Sequence, residues 1–311
     1  MSVQDAGRGL RVRKPARRRL KARDFEGYLF LLPWFLGLII LTAGPLLSSL
    51  YLSFTRFDML SMPQWLGLQN YIDLFTYDPS YRAALSVTLT YVVLGVPTNL
   101  AFALLVAVMM NQKVHGVGLF RGIYYLPSLL GGSVAIAVMW RQLFGGDGVI
   151  NSFLAVFGID APNWISHPSY AIYTLIILHV WQFGSSMVIF LAGLQQIPRE
   201  LYEAAEIDGA STMQKFWGVT IPMLTPVIFF NLILGVINSF QAFTSAYIIS
   251  GGSGGPSDST LFYTLYLYQE GFTRFHMGYA SAMGWILLVI IGAITALNFW
   301  GSRHWVFYGD N

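Results

Sequence analysis

Long runs without a charged side chain alternate with short polar segments along this sequence, and that alternation predicts the elements. No Asp, Glu, Lys or Arg stands between Glu26 and Arg56, nor within residues 83–112. A bilayer core of about 30 Å requires roughly 20 apolar residues in a helix. On that measure spans are predicted at about 28–53, 85–110, 122–140, 170–195, 225–249 and 278–300. The third is the shortest. Pro33 and Pro45 fall in the first span and Pro97 near the middle of the second, where a kink is expected and neighbouring helices must satisfy the freed carbonyls. Between spans, residues 56–82 form a mixed loop with Asp58, Asp73 and Asp78, and residues 141–169 a polar loop with a short amphipathic piece around 150–157. Gly251 to Pro256 reads as a flexible turn, and Tyr263 to Gly271 as a short aromatic helix at the membrane interface. The predicted fold is all-α, an integral membrane bundle of six transmembrane helices over residues 25–305, with a basic tail at 1–24 and a short tail at 306–311.

One polar interruption is unlike the others. Residues 195–226 carry dense charge and read as two short helices joined by a turn. Pro198 is expected at the first helical position, where its missing N–H costs nothing, with Glu200 and Glu203 in early turns that favour carboxylates. Asp208-Gly209 ends that helix, Ser211 and Gln214 form a capping box for the next, and Pro222 and Pro226 close the unit. Ala204 and Ala205 have one-carbon side chains, so another backbone can come close. Residue types alone leave two readings open, a solvated hairpin or a contact surface for a partner.

Composition agrees with a membrane chain. The 311 residues are 55% hydrophobic and 11% charged, more apolar surface than a soluble fold buries. Nine of the 18 Lys and Arg residues lie between Arg8 and Arg23. That tail is read as lying along anionic headgroups or unstructured in the cytoplasm, in preference to a nucleic-acid arm. Counted by side of a six-span layout, fourteen Lys and Arg accompany the termini and four (Arg56, Arg82, Arg141, Arg274) lie opposite, which makes both termini cytoplasmic. The run after Glu26 is too long for a signal peptide.

Several chemistries are excluded by residue type. No lysine follows a glycine, so there is no P-loop and ATP hydrolysis by this chain is not expected. Gly251 to Gly255 matches Gly-x-Ser-x-Gly without the strand and helix a nucleophile elbow needs. The five histidines lack paired ligand spacing and no cysteine is present, so neither a metal site nor any cofactor is expected. Gly118 and Gly122 are spaced for close helix approach. Inside the spans, Asn231, Asn238, Gln241 and Ser245 fall within ~80° of one another on a regular helix at 100° per residue, and His179, Gln182 and Ser186 share a similar face. Uncharged amides and hydroxyls beside aromatics suit a neutral polyol, and they equally suit interhelical hydrogen bonding.

The order Glu203-Ala204-Ala205, three residues, Gly209, nine residues, Val219-Thr220-Ile221-Pro222 resembles the cytoplasmic coupling signature of permease subunits in binding-protein-dependent ABC importers. Val219 and Ile221 depart from the usual Ile-x-Leu-Pro but remain aliphatic. The string Leu201 to Ser211, and separately the segment Gly251 to Ala282, resemble the carbohydrate branch, of maltose and glycerol-phosphate type. The resemblance covers roughly residues 25–305, without the maltose prototype's extra N-terminal spans or large inserted domain. It implies a bacterial cytoplasmic (inner) membrane permease that forms, with a second permease subunit, the path for a sugar or polyol. It further implies two ATPase subunits contacting the 198–222 loop through Glu203, Ala204, Ala205, Asp208 and Gly209, and an extracytoplasmic solute-binding protein. Two rivals from other classes are a secondary transporter, which would need an ion-coupling carboxylate in a span, and a membrane-embedded glycosyltransferase-like enzyme using Asp58, Asp73 and Asp78.

Overall fold

The computed structural model describes residues 22–112 and 116–307. The basic tail up to residue 21, the turn holding Lys113 and His115, and residues 308–311 lie outside them. Helices dominate, as the charge-free runs predict.

The first compact unit ends at Ser49 and the second begins at Leu50. In the first, α1 (Ala22–Gly37) passes through a π-helical turn (Leu38–Ala43) into α2 (Gly44–Ser53), whose last residues, from Leu50, belong to the second. The wider turn directly precedes Pro45, whose ring would collide with the carbonyl four residues back in a regular helix. The second unit opens with a minimal antiparallel ladder, β1 (Thr55–Arg56) on β2 (Gln64–Trp65), in which Thr55 pairs with Trp65. Next comes α3 (Gln69–Thr76), then α4 (Pro79–Met110), 32 residues that continue through Pro97. Asp78 caps α4, its carboxylate accepting the Tyr81 N–H at 2.9 Å.

Three of the predicted spans are broken, and here the structure corrects the sequence. The third is two helices, α5 (Val117–Leu130) and α6 (Val134–Leu143), bent by 98°. Gly131 and Gly132 interrupt the run, and the Ser133 hydroxyl starts α6 by accepting the Ile136 N–H. After α7 (Val149–Val156), the amphipathic piece expected in that loop, the fourth span divides into α8 (Ala171–Trp181) and α9 (Gly184–Gln196), bent by 42°. The loop helices α10 (Arg199–Ile207) and α11 (Thr212–Lys215) follow. A π-helical turn (Phe216–Thr220) then leads directly into α12 (Ile221–Phe240), so Pro222 sits in the first turn of the next helix and Pro226 inside it. Neither proline closes the loop unit. The fifth span therefore begins before residue 225 and its regular helix ends at Phe240, with α13 (Thr244–Ile249) separate.

The remaining elements are α14 (Tyr263–Tyr268), a π-helical turn (Gln269–Thr273) and α15 (Met277–Ser302). Tyr263 and Leu265 are fully buried, so α14 is an interior element and not the interfacial helix expected from its tyrosines. Thr88 accepts the Tyr263 N–H at 2.8 Å, and the Tyr263 hydroxyl donates to the Met283 carbonyl at 2.8 Å, tying α14 to α4 and α15. Among the described residues, four helices are long and apolar enough to cross a membrane, or up to six if each bent pair is one span. Two apolar clusters form the interior, one around Tyr81, Leu175, Phe262 and Met283, the other around Val96, Met187, Phe190 and Leu224. Leu105, Val289, Leu297 and Phe299 remain more than half exposed on the outer helix faces, the arrangement of a protein whose solvent is lipid. Gly118 and Gly122 have nothing within 4 Å of an added Cβ, so among the described residues no other helix packs closely against them.

Candidate functional site

The helix breaks meet at one place. Where a helix is interrupted in a lipid environment its freed carbonyls need partners from side chains, and polar residues of the neighbouring helices supply them. The Asn99 amide donates to the His179 carbonyl at the end of α8 (2.7 Å). The Gln182 amide donates to the Gly131 carbonyl between α5 and α6 (2.9 Å), and the Thr264 hydroxyl donates to the Ala242 carbonyl between α12 and α13.

Around these breaks lies a cavity of about 420 Å³. All seven residues singled out in the spans line it: His179, Gln182, Ser186, Asn231, Asn238, Gln241 and Ser245. The reason differs from the regular stripe inferred from spacing, because Gln241 caps α12 and Ser245 belongs to α13. Their convergence comes from the turn of the chain after Phe240, not from the 100° period. Asn231 is buried and spends its amide on the Val227 carbonyl of its own helix at 3.2 Å. Asn238 and Gln241 are exposed to the cavity.

Sequence reasoning missed Tyr91, Asn99, Ser128, Ser239 and Phe243 in the same lining. Ser239 is the most telling, since its hydroxyl is buried and has no hydrogen-bond partner among the described residues. Among the described residues no Asp, Glu, Lys or Arg lines the cavity. Tyr91 and Phe243 supply aromatic surface beside amides and hydroxyls, which is the chemistry that takes hydroxyl groups on one edge and C–H groups on a flat face.

A second cavity, about 690 Å³, opens beside the ladder and the start of α15 and contains Asp58, Asp73 and Asp78. Their carboxylates are already engaged. Ser61, through its side chain first and its backbone next, holds the exposed Asp58 carboxyl below the usual carboxylate range. Asp73 accepts from Gln69, and Asp78 accepts the hydroxyls of Tyr266 and Tyr279 at 2.6 Å each. Burial, then the bond to Asp78, pushes the Tyr266 phenol up, so it stays a neutral donor. Glu270 is buried between Arg274 and His276, the latter at 2.8 Å. Among the described residues no group of three or more His, Asp or Glu could hold a metal ion. The spacing gave no hint of these pairings because the partners lie up to 201 residues apart.

The 198–222 loop is a third element, and none of its residues lines either cavity. Pro198 is the cap before α10 and not its first helical residue, since its ψ of 136° is extended. At the other end Gly209 takes φ +78°, the Ala210 N–H reaches the Ala205 carbonyl at 2.9 Å and the Gly209 N–H the Glu206 carbonyl at 3.0 Å. That is a Schellman stop, and glycine is the residue that adopts its left-handed position cheaply. The capping box of Ser211 and Gln214 is formed in both directions. Glu203, Ala204, Asp208 and Gly209 are exposed and Ala205 is half-buried, so the structure presents the five residues on a short helix and its stop.

Comparison with known proteins agrees with this architecture. The chain is 51% identical over 292 residues to the probable ABC transporter permease protein YesP of Bacillus subtilis (strain 168), covering 94% of each. It is 35% identical over 287 residues to the lactose transport system permease protein LacF of Rhizobium radiobacter, covering 90% of this chain and 95% of that one. It shares its fold with a chain of the bacterial alginate ABC transporter solved in complex with an alginate pentasaccharide-bound periplasmic protein, at a TM-score of 0.77 and 23% identity over 91% of this chain and 96% of that one. Residues 79–303 match the model for binding-protein-dependent transport system inner membrane components, and the chain belongs to that family: it is a multi-pass permease subunit of an ABC transporter.

Proposed function

We propose that this permease forms one half of the translocation path of an ATP-driven importer for an uncharged saccharide. The observation that carries the reading is the lining of the 420 Å³ cavity, amides and hydroxyls with aromatic surface and no charged side chain. Relatives named for lactose and for arabinooligosaccharides support the same substrate class. A second permease subunit completes the path, two ATPase subunits supply the energy through the 198–222 loop, and an extracytoplasmic binding protein delivers the sugar. Reconstitution tests this against its rivals. Uptake that requires added ATPase and binding protein supports the importer, uptake by the chain alone a secondary carrier, and product formation without uptake an enzyme.

Within that reading Asn238 and Gln241 contact the sugar. Each hydrogen bond lost in Asn238→Ala or Gln241→Ala is worth ~0.5–1.5 kcal/mol, roughly a twofold to tenfold loss of apparent affinity per site. The measurement is uptake across a panel of related neutral sugars, with assembly checked by co-purification of the ATPase. Parental rates and sugar preference in an assembled complex would refute the assignment. A second reading, interhelical hydrogen bonding alone, is favoured by Gln182, whose amide is spent on the Gly131 carbonyl between α5 and α6. It predicts reduced assembly with unchanged preference.

The same proposal takes six spans with both termini cytoplasmic, on the strength of the basic tail between Arg8 and Arg23. Because the chain has no cysteine, single cysteines at Gln214 and Ser257 report cleanly. Gln214→Cys should label only from the cytoplasm and Ser257→Cys only from outside. Labelling of both from one side would overturn this topology.

A further inference from the structure

We infer that the hydroxyl pair Tyr202–Thr220 is the positioning link through which the short helix α10 carries α12 with it. The inference rests on the reading of the 198–222 loop as the contact for the ATPase. The Tyr202 hydroxyl lies 2.9 Å from the Thr220 hydroxyl. Thr220 is buried and is the last residue of the π-helical turn, directly before α12, which lines the cavity through Asn231, Asn238 and Ser239. Its own hydroxyl also lies 3.5 Å from the Lys215 carbonyl, and within the pair either hydroxyl can donate to the other.

The need for such a link follows from what flanks α10. At its start Ile197 and Pro198 are extended, with ψ of 122° and 136°, and at its end the backbone turns through the left-handed Gly209, which has nothing within 4 Å of an added Cβ. A force applied to α10 through the main chain is absorbed at these two joints. Side chains must carry it instead. The ion pair Glu206–Lys215, at 3.4 Å with Glu206 71% exposed, is of the solvent-screened surface kind that holds two elements together only weakly. Tyr202 is half-buried and its ring joins the second apolar cluster with Val219 and Met223. Apolar contacts slide along one another at little cost, whereas a hydroxyl–hydroxyl bond resists displacement along the helix axis. The link thus fixes the register of α10 against the foot of α12.

The test uses the full complex of both permeases, ATPases and binding protein in liposomes, with Ser186→Cys as a reporter inside the cavity. ATP hydrolysis and the ATP-dependent change in labelling of that cysteine by a membrane-impermeant maleimide are measured together. Tyr202→Phe keeps the ring and loses the hydroxyl. It is expected to leave ATP hydrolysis near parental while the ATP-dependent labelling response falls roughly twofold to tenfold, as expected for the loss of one hydrogen bond. Thr220→Val should match it, Thr220→Ser should restore the parental response, and the double variant Tyr202→Phe/Thr220→Val should be no worse than either single, because one bond is removed in each case. A parental labelling response in Tyr202→Phe overturns the inference, as does a lowered melting temperature with an unchanged response, which is the mark of a merely structural contact. Glu203→Lys separates the two levels. If it and Gly209→Val both leave ATP-driven uptake intact, the loop reading itself fails; if they abolish uptake while Tyr202→Phe responds normally, only the link fails.

Discussion

Gly184→Val is expected to leave little folded permease in the membrane. A Cβ at Gly184 would stand 2.3 Å from the Ser128 hydroxyl, 2.5 Å from the Tyr124 carbonyl oxygen and 2.8 Å from the Tyr125 Cα. Two of these are main-chain atoms of α5, which cannot rotate aside. The crossing of α5 with the first turn of α9 depends on a residue without a side chain, as close crossings in membrane bundles generally do. The Ser185 N–H also donates to the Ser128 hydroxyl at 2.9 Å, so pushing the helices apart costs a hydrogen bond as well. Overpacking of this kind costs ~1–3 kcal/mol and sometimes more, roughly a 5- to 150-fold loss in the folded-to-unfolded ratio. The measurements are detergent-extracted yield, monodispersity and thermal unfolding. Gly292→Val is the control, because nothing lies within 4 Å of its Cβ and the position is exposed on α15. Equal yield and stability of the two variants would refute this packing.

Nothing in the sequence marked Gly184 as a crossing point, and the reason is general. Features decided within a few residues were legible. The stop at Gly209, the capping box of Ser211 and Gln214 and the short helix at Val149–Val156 each follow from a local main-chain need that one residue type meets. The breaks in the fourth and fifth spans were not, because Gln182-Phe183 and Gln241-Ala242-Phe243 contain neither glycine nor proline. They are tolerated only because Asn99 and Thr264, distant in sequence, donate hydrogen bonds to the exposed carbonyls. The Gly118 and Gly122 spacing misled for the converse reason, since a motif says nothing about whether a helix lies opposite it. Polar residues within spans were the best guide to the site. Each must face protein or water whatever the helix geometry, so Gln241 and Ser245 reached the cavity although the helix assumed to carry them ends at Phe240.

The same local legibility makes the loop the sharpest place to break transport without breaking the protein. Gly209→Val is expected to abolish ATP-driven uptake while leaving membrane levels near normal. At φ +78° an L-residue loses roughly 1–2 kcal/mol, and a β-branched side chain more. With nothing within 4 Å the cost is purely conformational, so it is relieved by unwinding the Schellman stop and tilting α10, not by disturbing the buried clusters. Asparagine visits the left-handed region far more readily, so Gly209→Asn should retain most of the uptake. Glu203→Lys attacks the same element without strain. Glu203 is exposed on α10, so reversal of its charge alters only what meets that surface. Both losses should appear as failed stimulation of ATP hydrolysis by the binding protein, in a complex that still co-purifies with its ATPase in the Gly209 variant. Parental uptake in both Gly209→Val and Glu203→Lys would remove the 198–222 loop as the coupling element, whatever the sugar specificity of the cavity proves to be.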